Sequence, residues 1–176
     1  MFRAIVYNKS ALVLHMLRRW IGDEAFFRAL RALYDQSRYT KIGTRHVQRV
    51  FEKEAGIDLT RFFEGWIRTS DTPRLRASFE ASGASVSVRL DQIGPVMDVP
   101  VTVSVIYASG AIEDHLVKLS QGSTFVQLPA SGPVRGIELN RDEQALIVVE
   151  RGNGARSRAG DAMSSRQGAQ QPRPSN

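Results

Sequence analysis

The hydrophobic pattern of the chain changes its period once, at Asp71-Thr72-Pro73. Before this point, apolar residues recur at intervals of three and four, which predicts helices that bury one face. After it, apolar and polar residues alternate, which predicts half-buried strands. The longest alternating run consists of Val99, Val101, Val103, Val105 and Tyr107. This order predicts an α+β chain, with helices within residues 1–70 and strands within residues 72–150.

Four helices are predicted before residue 70, each with start and stop signals at its ends. A polar side chain that can accept a hydrogen bond from a free backbone N–H precedes each of them. These predicted N-caps are Ser10, Asp23, Thr44 and Asp58. Gly22 separates the first two helices, and Gly56 lies where a glycine commonly ends a helix. The pattern therefore predicts two short helix pairs joined by turns that contain glycine.

Seven short strands are predicted after Pro73, because turn-forming residues separate the alternating runs. No helical pattern lies between these runs, so the helical crossovers of a parallel sheet are not expected. Seven strands in about 75–80 residues are typical of an immunoglobulin-like antiparallel β-sandwich. We therefore predict a multidomain α+β fragment in which a short α-helical segment precedes this sandwich.

The charge of the chain is unevenly distributed. Of 24 basic and 18 acidic side chains, residues 151–176 hold five and one, which gives that segment +4 of the net +6. Gly, Ser, Gln, Pro and Arg dominate there, which predicts a disordered tail. The basic residues of the helical segment are spread over several helices and no nucleic-acid motif accompanies them. We interpret them as solvated or as paired with another domain, and predict no specific nucleic-acid partner.

The residues that commonly carry metal or nucleophilic chemistry are few. The sequence has no cysteine, which excludes disulfides, thiolate zinc sites and a cysteine nucleophile. Its three histidines, His15, His46 and His115, have no histidine four residues away and no His-Glu-x-x-His motif. We expect them to be structural or exposed, and expect no metal in this chain. The apolar stretch at residues 4–17 is too short to span a membrane, so no transmembrane segment is predicted.

Residues 7–17 resemble the Tyr-x-Lys-Gly-Ala-x-x-Leu-x-x-Leu segment of the aminopeptidase N (membrane alanyl aminopeptidase) family of zinc metallopeptidases, in the gluzincin clan. Three further elements follow in the order of that family. They are residues 21–27, Gly56 with Leu59, Phe62-Phe63 and Trp66, and Pro73-Arg74-Leu75. The resemblance extends over about residues 4–150 and implies the C-terminal part of such a peptidase, with residues 1–70 as the helical end of its catalytic domain.

The resemblance also implies roles for individual residues. The family's tyrosine donates its phenol proton to the oxyanion of the tetrahedral intermediate, and the matching residue here is Tyr7. Lys9 matches the family's lysine, whereas Ser10 replaces its usual glycine. The zinc ligands and the general base of the family lie upstream of the tyrosine and are not in this sequence. The parent is thus expected to be a zinc enzyme acting on peptides, and this chain to need an upstream catalytic segment and to be inactive alone.

Two other interpretations stay open at the level of sequence. One is a noncatalytic binding or scaffolding module, in which helices and sandwich present a surface to another chain. The other is a fragment of a related gluzincin that carries a peptide-binding domain, although the ordered Phe-Phe, Trp and Pro-x-Leu elements disfavour it. The DNA immediately upstream of Met1 would distinguish a fragment from a stand-alone module.

Overall fold

Helices occupy the first part of the chain and strands the second. The structure, a computed structural model, describes residues 8–150; the predicted tail at residues 151–176 lies outside them. The helices are α1 (Ser10–Ile21), α2 (Asp23–Ser37), α3 (Thr44–Ala55) and α4 (Thr60–Phe63), and α4 continues into a π-helical turn at Glu64–Arg68. The four predicted helices are therefore present.

The helix starts differ from the prediction at all four sites. Ser10, Asp23 and Thr44 are the first helical residues rather than N-caps, and no side chain caps these helices. For α2 the reason is visible, because the Asp23 carboxylate accepts hydrogen bonds from Arg18 at 2.8 and 2.6 Å and so faces a guanidinium instead of the backbone. Gly22, with φ of +87°, lies at the N-cap position instead.

Of the remaining end signals, Gly56 is confirmed, whereas the N-cap position of α4 is Leu59 and not Asp58. The Asp58 carboxylate accepts a hydrogen bond of 2.7 Å from the backbone N–H of Thr60, where α4 begins. Gly56 ends α3 in the left-handed region, with φ of +68°, and its N–H bonds the carbonyl of Glu52. A residue with a side chain is strained in this conformation, which is why glycine is favoured there.

The strands form two facing sheets. Their bounds are β1 (Arg74–Ser82), β2 (Ser85–Ile93), β3 (Val99–Tyr107), β4 (Ile112–Leu119), β5 (Ser123–Pro129), β6 (Val134–Leu139) and β7 (Val148–Glu150). One sheet has the order β5-β2-β1-β7 and the other β4-β3-β6. The predicted sandwich is confirmed, except that β7 pairs with β1 in parallel. The chain between β6 and β7 crosses from one sheet to the other, so this pairing needs no helical crossover.

Strand β3 is buried on both of its faces. The alternating valines of β3 point into the sandwich, as predicted, and are fully buried. The residues between them, Pro100, Thr102 and Ser104, are buried as well. Helix α1 lies against β3, and one contiguous apolar cluster includes residues of both the helices and the sheets. The helical layer therefore covers the outer face of the three-stranded sheet.

The Tyr107–Glu113 hydrogen bond, 2.7 Å long, links β3 to β4 and makes stability depend on pH. It is the main cause that holds the pKa of Glu113 below its usual value. A lowered folded-state pKa stabilises the fold above the unfolded pKa, about 4.3, and this contribution disappears as pH falls through the folded value. We expect Tyr107→Phe to lower the free energy of unfolding more at pH 7 than at pH 3, as measured by urea denaturation.

Tyr39→Phe is the matched control for this prediction, because Tyr39 is 94% exposed. It should leave stability unchanged at both pH values. An equal loss at pH 7 and pH 3 for Tyr107→Phe would show that the carboxylate does not contribute through this bond.

Candidate functional site

The site residues that the sequence indicates lie at or just before the start of the described part of the chain. Tyr7 lies outside the described residues, and Asn8 and Lys9 lead in helical conformation into α1. Lys9 is half-buried, and its Nζ donates a hydrogen bond of 3.3 Å to the carbonyl of Thr69, just after the π-helical turn. Lys9 therefore ties the start of α1 to the end of the helical segment, and Ser10 beside it is exposed.

An apolar cavity of about 360 Å³ lies beside the start of α1. Its walls are α1, the start of α3 with the residues just before it, and α4 with the π-helical turn. Its apolar lining residues are Val13, Leu14, Leu17, Ile42, Val47, Phe62, Phe63 and Ile67. Among residues 8–150, no charged side chain lines this cavity, so its described walls suit an apolar group.

The three histidines lie in three separate places. His15 Nε2 is 3.1 Å from Gln144 Oε1, and His46 Nε2 is 3.4 Å from Ser37 Oγ. His115 lies on β4, with its Nε2 3.7 Å from Glu113 Oε1. Within residues 8–150 there is no group of three histidine, aspartate or glutamate residues placed to hold a metal ion. The described residues therefore do not fit a catalytic zinc.

A partly buried polar network joins α1 to the sandwich. Arg19 Nη2 donates a hydrogen bond of 2.6 Å to Thr102 Oγ1 and lies 3.7 Å from Asp142 Oδ2. The Thr102 hydroxyl in turn donates to Asp142 Oδ2 at 2.5 Å. Burial lowers the pKa of Arg19, and the Asp142 charge opposes that shift. The side chain of Arg19 is only 13% exposed, so protein groups replace most of the water around its charge.

This network corrects the interpretation of Arg19 as one of the solvated or domain-pairing basic residues. Position 19 lies three residues after Met16 and four after His15, so all three share one face of α1. Met16 is fully buried, which places that face against the sandwich. The spacing of Arg19 from Met16 was thus a signal in the sequence, but its acidic partner lies over 100 residues later and no local pattern predicts it.

A second junction, also missed, joins α4 and the π-helical turn to the sandwich. The Trp66 indole N–H donates a buried hydrogen bond of 2.8 Å to the carbonyl of Asp98. The Asp98 carboxylate accepts two hydrogen bonds from Arg61. Asp98 immediately precedes β3, so both junctions attach the helices to the same strand.

Comparison with known proteins shows a family resemblance in the helical part of the chain. Residues 1–66, which include Tyr7, match the model of the Peptidase family M1 domain. The helical part of the chain is thus similar to peptidase family M1. The resemblance to a zinc metallopeptidase of the aminopeptidase N family is thereby confirmed. Within residues 8–150, no helix is long and apolar enough to cross a membrane.

Several M1 relatives are similar over part of the chain. Aminopeptidase N of Lactococcus lactis subsp. lactis is 35% identical over 74 residues, which are 42% of this chain and 9% of the relative. Aminopeptidase N of Streptomyces lividans is 29% identical over 98 residues, which are 54% of this chain and 11% of that protein. The chain therefore spans only about a tenth of the length of the curated M1 relatives that it matches.

A solved structure extends the likeness of fold to the sandwich. The aminopeptidase A of Legionella pneumophila, crystallised in complex with aspartic acid, superposes with a TM-score of 0.75 at 20% identity. The match covers 86% of this chain and 18% of the Legionella chain. Helices and sandwich together thus have the fold of a part of a larger protein.

Proposed function

We propose that this chain is part of a zinc-dependent aminopeptidase that removes N-terminal residues from peptides. The observation that carries the proposal is the family match over residues 1–66, because this segment contains the Tyr-x-Lys element. The relatives from Lactococcus and Streptomyces are both aminopeptidases, which supports the same reaction class. In this proposal residues 1–70 are the helical end of the catalytic domain, and residues 72–150 form a sandwich domain beside it.

The catalytic contribution of this chain would come from Tyr7. Hydrolysis of a peptide bond builds negative charge on the former carbonyl oxygen, and a fixed donor stabilises that charge more in the transition state than in the ground state. A phenol with an ordinary pKa near 10 keeps its proton at neutral pH and can donate it to this oxygen. Tyr7 is the family's tyrosine by position, since Lys9, Ala11, Leu14 and Leu17 follow it at the family's spacing.

The remaining catalytic groups would come from another segment of the enzyme. M1 aminopeptidases are in general zinc enzymes, and the 176 residues contain no His-Glu-x-x-His motif. One tyrosine cannot activate water, so the metal and the general base must be supplied by the upstream part of the peptidase domain. We therefore propose that the chain alone binds no catalytic zinc and does not hydrolyse peptides.

The test compares the isolated chain with a hybrid enzyme. In the hybrid, residues 1–150 of this chain replace the structurally equivalent segment of the Legionella aminopeptidase A. We expect the isolated chain to release no product from aminoacyl-anilides, with or without added zinc, and the hybrid to hydrolyse them. The unmodified Legionella enzyme is the positive control, and zinc content and the unfolding midpoint show whether the hybrid is loaded and folded.

Two results would contradict the proposal. Zinc-dependent hydrolysis by the isolated chain would show that it carries a complete active site. A hybrid that is folded and loaded with zinc but inert would favour the noncatalytic scaffolding role instead.

A further inference from the structure

We propose that the apolar surface around the cavity beside α1 is the docking site for the upstream part of the peptidase domain. Three exposed side chains form this surface, which we call the docking surface: Leu14, Ile42 and Ile67. The inference rests on the proposed function, in which another segment of the enzyme supplies the metal and the general base. It assigns the place where that segment contacts this chain.

The docking surface leaves large apolar side chains in water around a buried apolar wall. Leu14 is 44% exposed, Ile42 41% and Ile67 47%. Behind them, the buried rings of Phe62 and Phe63 line the cavity of about 360 Å³. Apolar side chains that are exposed singly are ordinary, whereas a cluster of them around a concavity marks a binding surface. Covering this cluster would therefore be favourable for a partner that fits the cavity.

The docking surface faces away from the sandwich. Leu14 lies two residues before Met16, which is about 200° around a helix of about 3.6 residues per turn. Met16 is fully buried, and its sulfur accepts the backbone N–H of Leu146 from the segment between β6 and β7. The sandwich thus covers one face of α1 and leaves the opposite face to another part of the protein.

The position of the cavity favours the rest of the peptidase domain as its occupant. All of the lining residues except Ile67 lie within residues 1–66, the part of the chain that matches the M1 domain. The match covers only 9% and 11% of the two aminopeptidase N relatives, so most of their length has no counterpart in this sequence. Since the surface belongs to the peptidase part and not to the sandwich, we expect the remainder of that domain to cover it.

A basic rim flanks the docking surface and favours a protein partner. Arg45, Arg49 and Arg68 line a second concavity, and two of them directly follow residues that line the apolar cavity. In the described part of the chain, Arg45 and Arg49 have no acidic partner, whereas Arg28 and Arg61 do. The two lie one turn apart on α3, where like charges repel. An apolar centre with a polar rim and an enrichment of arginine is typical of protein–protein interfaces.

The absence of cysteine from the sequence allows a direct test, because an introduced thiol reports the exposure of its own position. Ile67→Cys is introduced into the 176-residue chain and into the hybrid enzyme. Modification by a maleimide is then followed by mass spectrometry of the peptide that contains this position. We expect the thiol to react at least about tenfold more slowly in the hybrid, because the upstream part covers it there.

Leu116→Cys is the matched control, because Leu116 is 46% exposed but lies on β4 of the sandwich. Its rate of modification should agree within about twofold between the isolated chain and the hybrid. Leu14→Cys tests the same surface from α1, and it substitutes for Ile67→Cys if that variant does not fold.

Each other occupant of the docking surface gives a different result and would overturn the inference. Slow modification of Ile67→Cys in the isolated chain at every concentration would show that another part of this chain covers the surface. Modification that slows as the concentration of the isolated chain rises would assign the surface to a second copy. Modification that slows only with phosphatidylserine vesicles would assign it to a membrane.

The activity of the hybrid separates this inference from the proposed function. Equal rates for Ile67→Cys in the isolated chain and in an active hybrid would overturn the inference and leave the proposed function intact. Protection of Ile67→Cys in a hybrid that is loaded with zinc but inert would support the docking surface and contradict the proposed function.

Discussion

Tyr7→Phe in the hybrid enzyme is expected to lower kcat for aminoacyl-anilides by about 10²–10³-fold, with KM nearly unchanged. This is the range observed when one donor to a developing oxyanion is removed. The phenol differs from phenylalanine by one hydroxyl, so the substitution removes the donor and keeps the aromatic ring. In the proposed mechanism the hydroxyl contacts the oxygen only once charge develops there, so substrate binding should be little affected.

The control for this result is Tyr34→Phe in the same hybrid. Tyr34 lies on α2 and is 67% exposed, so the Tyr34→Phe hybrid should retain full activity. Zinc content and the unfolding midpoint should be the same in both variants and the parent hybrid. A Tyr7→Phe hybrid that keeps kcat within about threefold of the parent would remove Tyr7 from the reaction.

Trp66→Ala is expected to lower the free energy of unfolding of the 176-residue chain by about 3–5 kcal/mol, measured by urea denaturation. Trp66 is 1% exposed, and its ring lies 6.3 Å from that of Phe62. The substitution leaves a cavity between helices and sandwich, and it also leaves the buried carbonyl of Asp98 without its donor. Since a domain of this size is typically stable by about 5–15 kcal/mol, much of the stability would be lost.

Two further variants separate the contribution of packing from that of the hydrogen bond. Trp66→Phe keeps most of the buried area but not the N–H donor, so it should cost about 1–3 kcal/mol. Trp20→Ala, at a half-buried site on α1, should cost less than Trp66→Ala. A loss below about 1 kcal/mol for Trp66→Ala would show that this junction does not bind helices and sandwich together.

The periodicity of the sequence predicted the elements of the fold well, because it reports local physics. The switch at Asp71-Thr72-Pro73 placed the first strand correctly, and the alternation of β3 identified its inward-facing valines. The same alternation did not predict that Thr102 and Ser104 on the other face are buried. That burial comes from α1, whose position depends on contacts across more than 80 residues of sequence.

The helix caps and the candidate site also depend on contacts that no local sequence pattern predicts. A cap is predicted from one polar side chain, yet Asp23 has a nearer and stronger partner in Arg18. Arg19 is distinguished from the other arginines of the helical segment by its partner Asp142, which lies between β6 and β7. Its neighbours in the sequence do not distinguish it. Tyr7, by contrast, was found from a local motif, so the sequence could indicate it directly, and its role stays a prediction.

The close approach at Gly65 has a consequence for how the molecule unfolds. A Cβ added there would lie 2.9 Å from Met97 Cε, the end of a flexible side chain, so helix and sandwich are in direct contact here. Trp66 and Phe62 belong to the same apolar cluster as the strands, and a shared core is not expected to open while its two sides stay folded. We therefore expect a single cooperative transition for the segment that matches the M1 domain and the sandwich behind it, so the end of the family match at residue 66 is not a folding boundary.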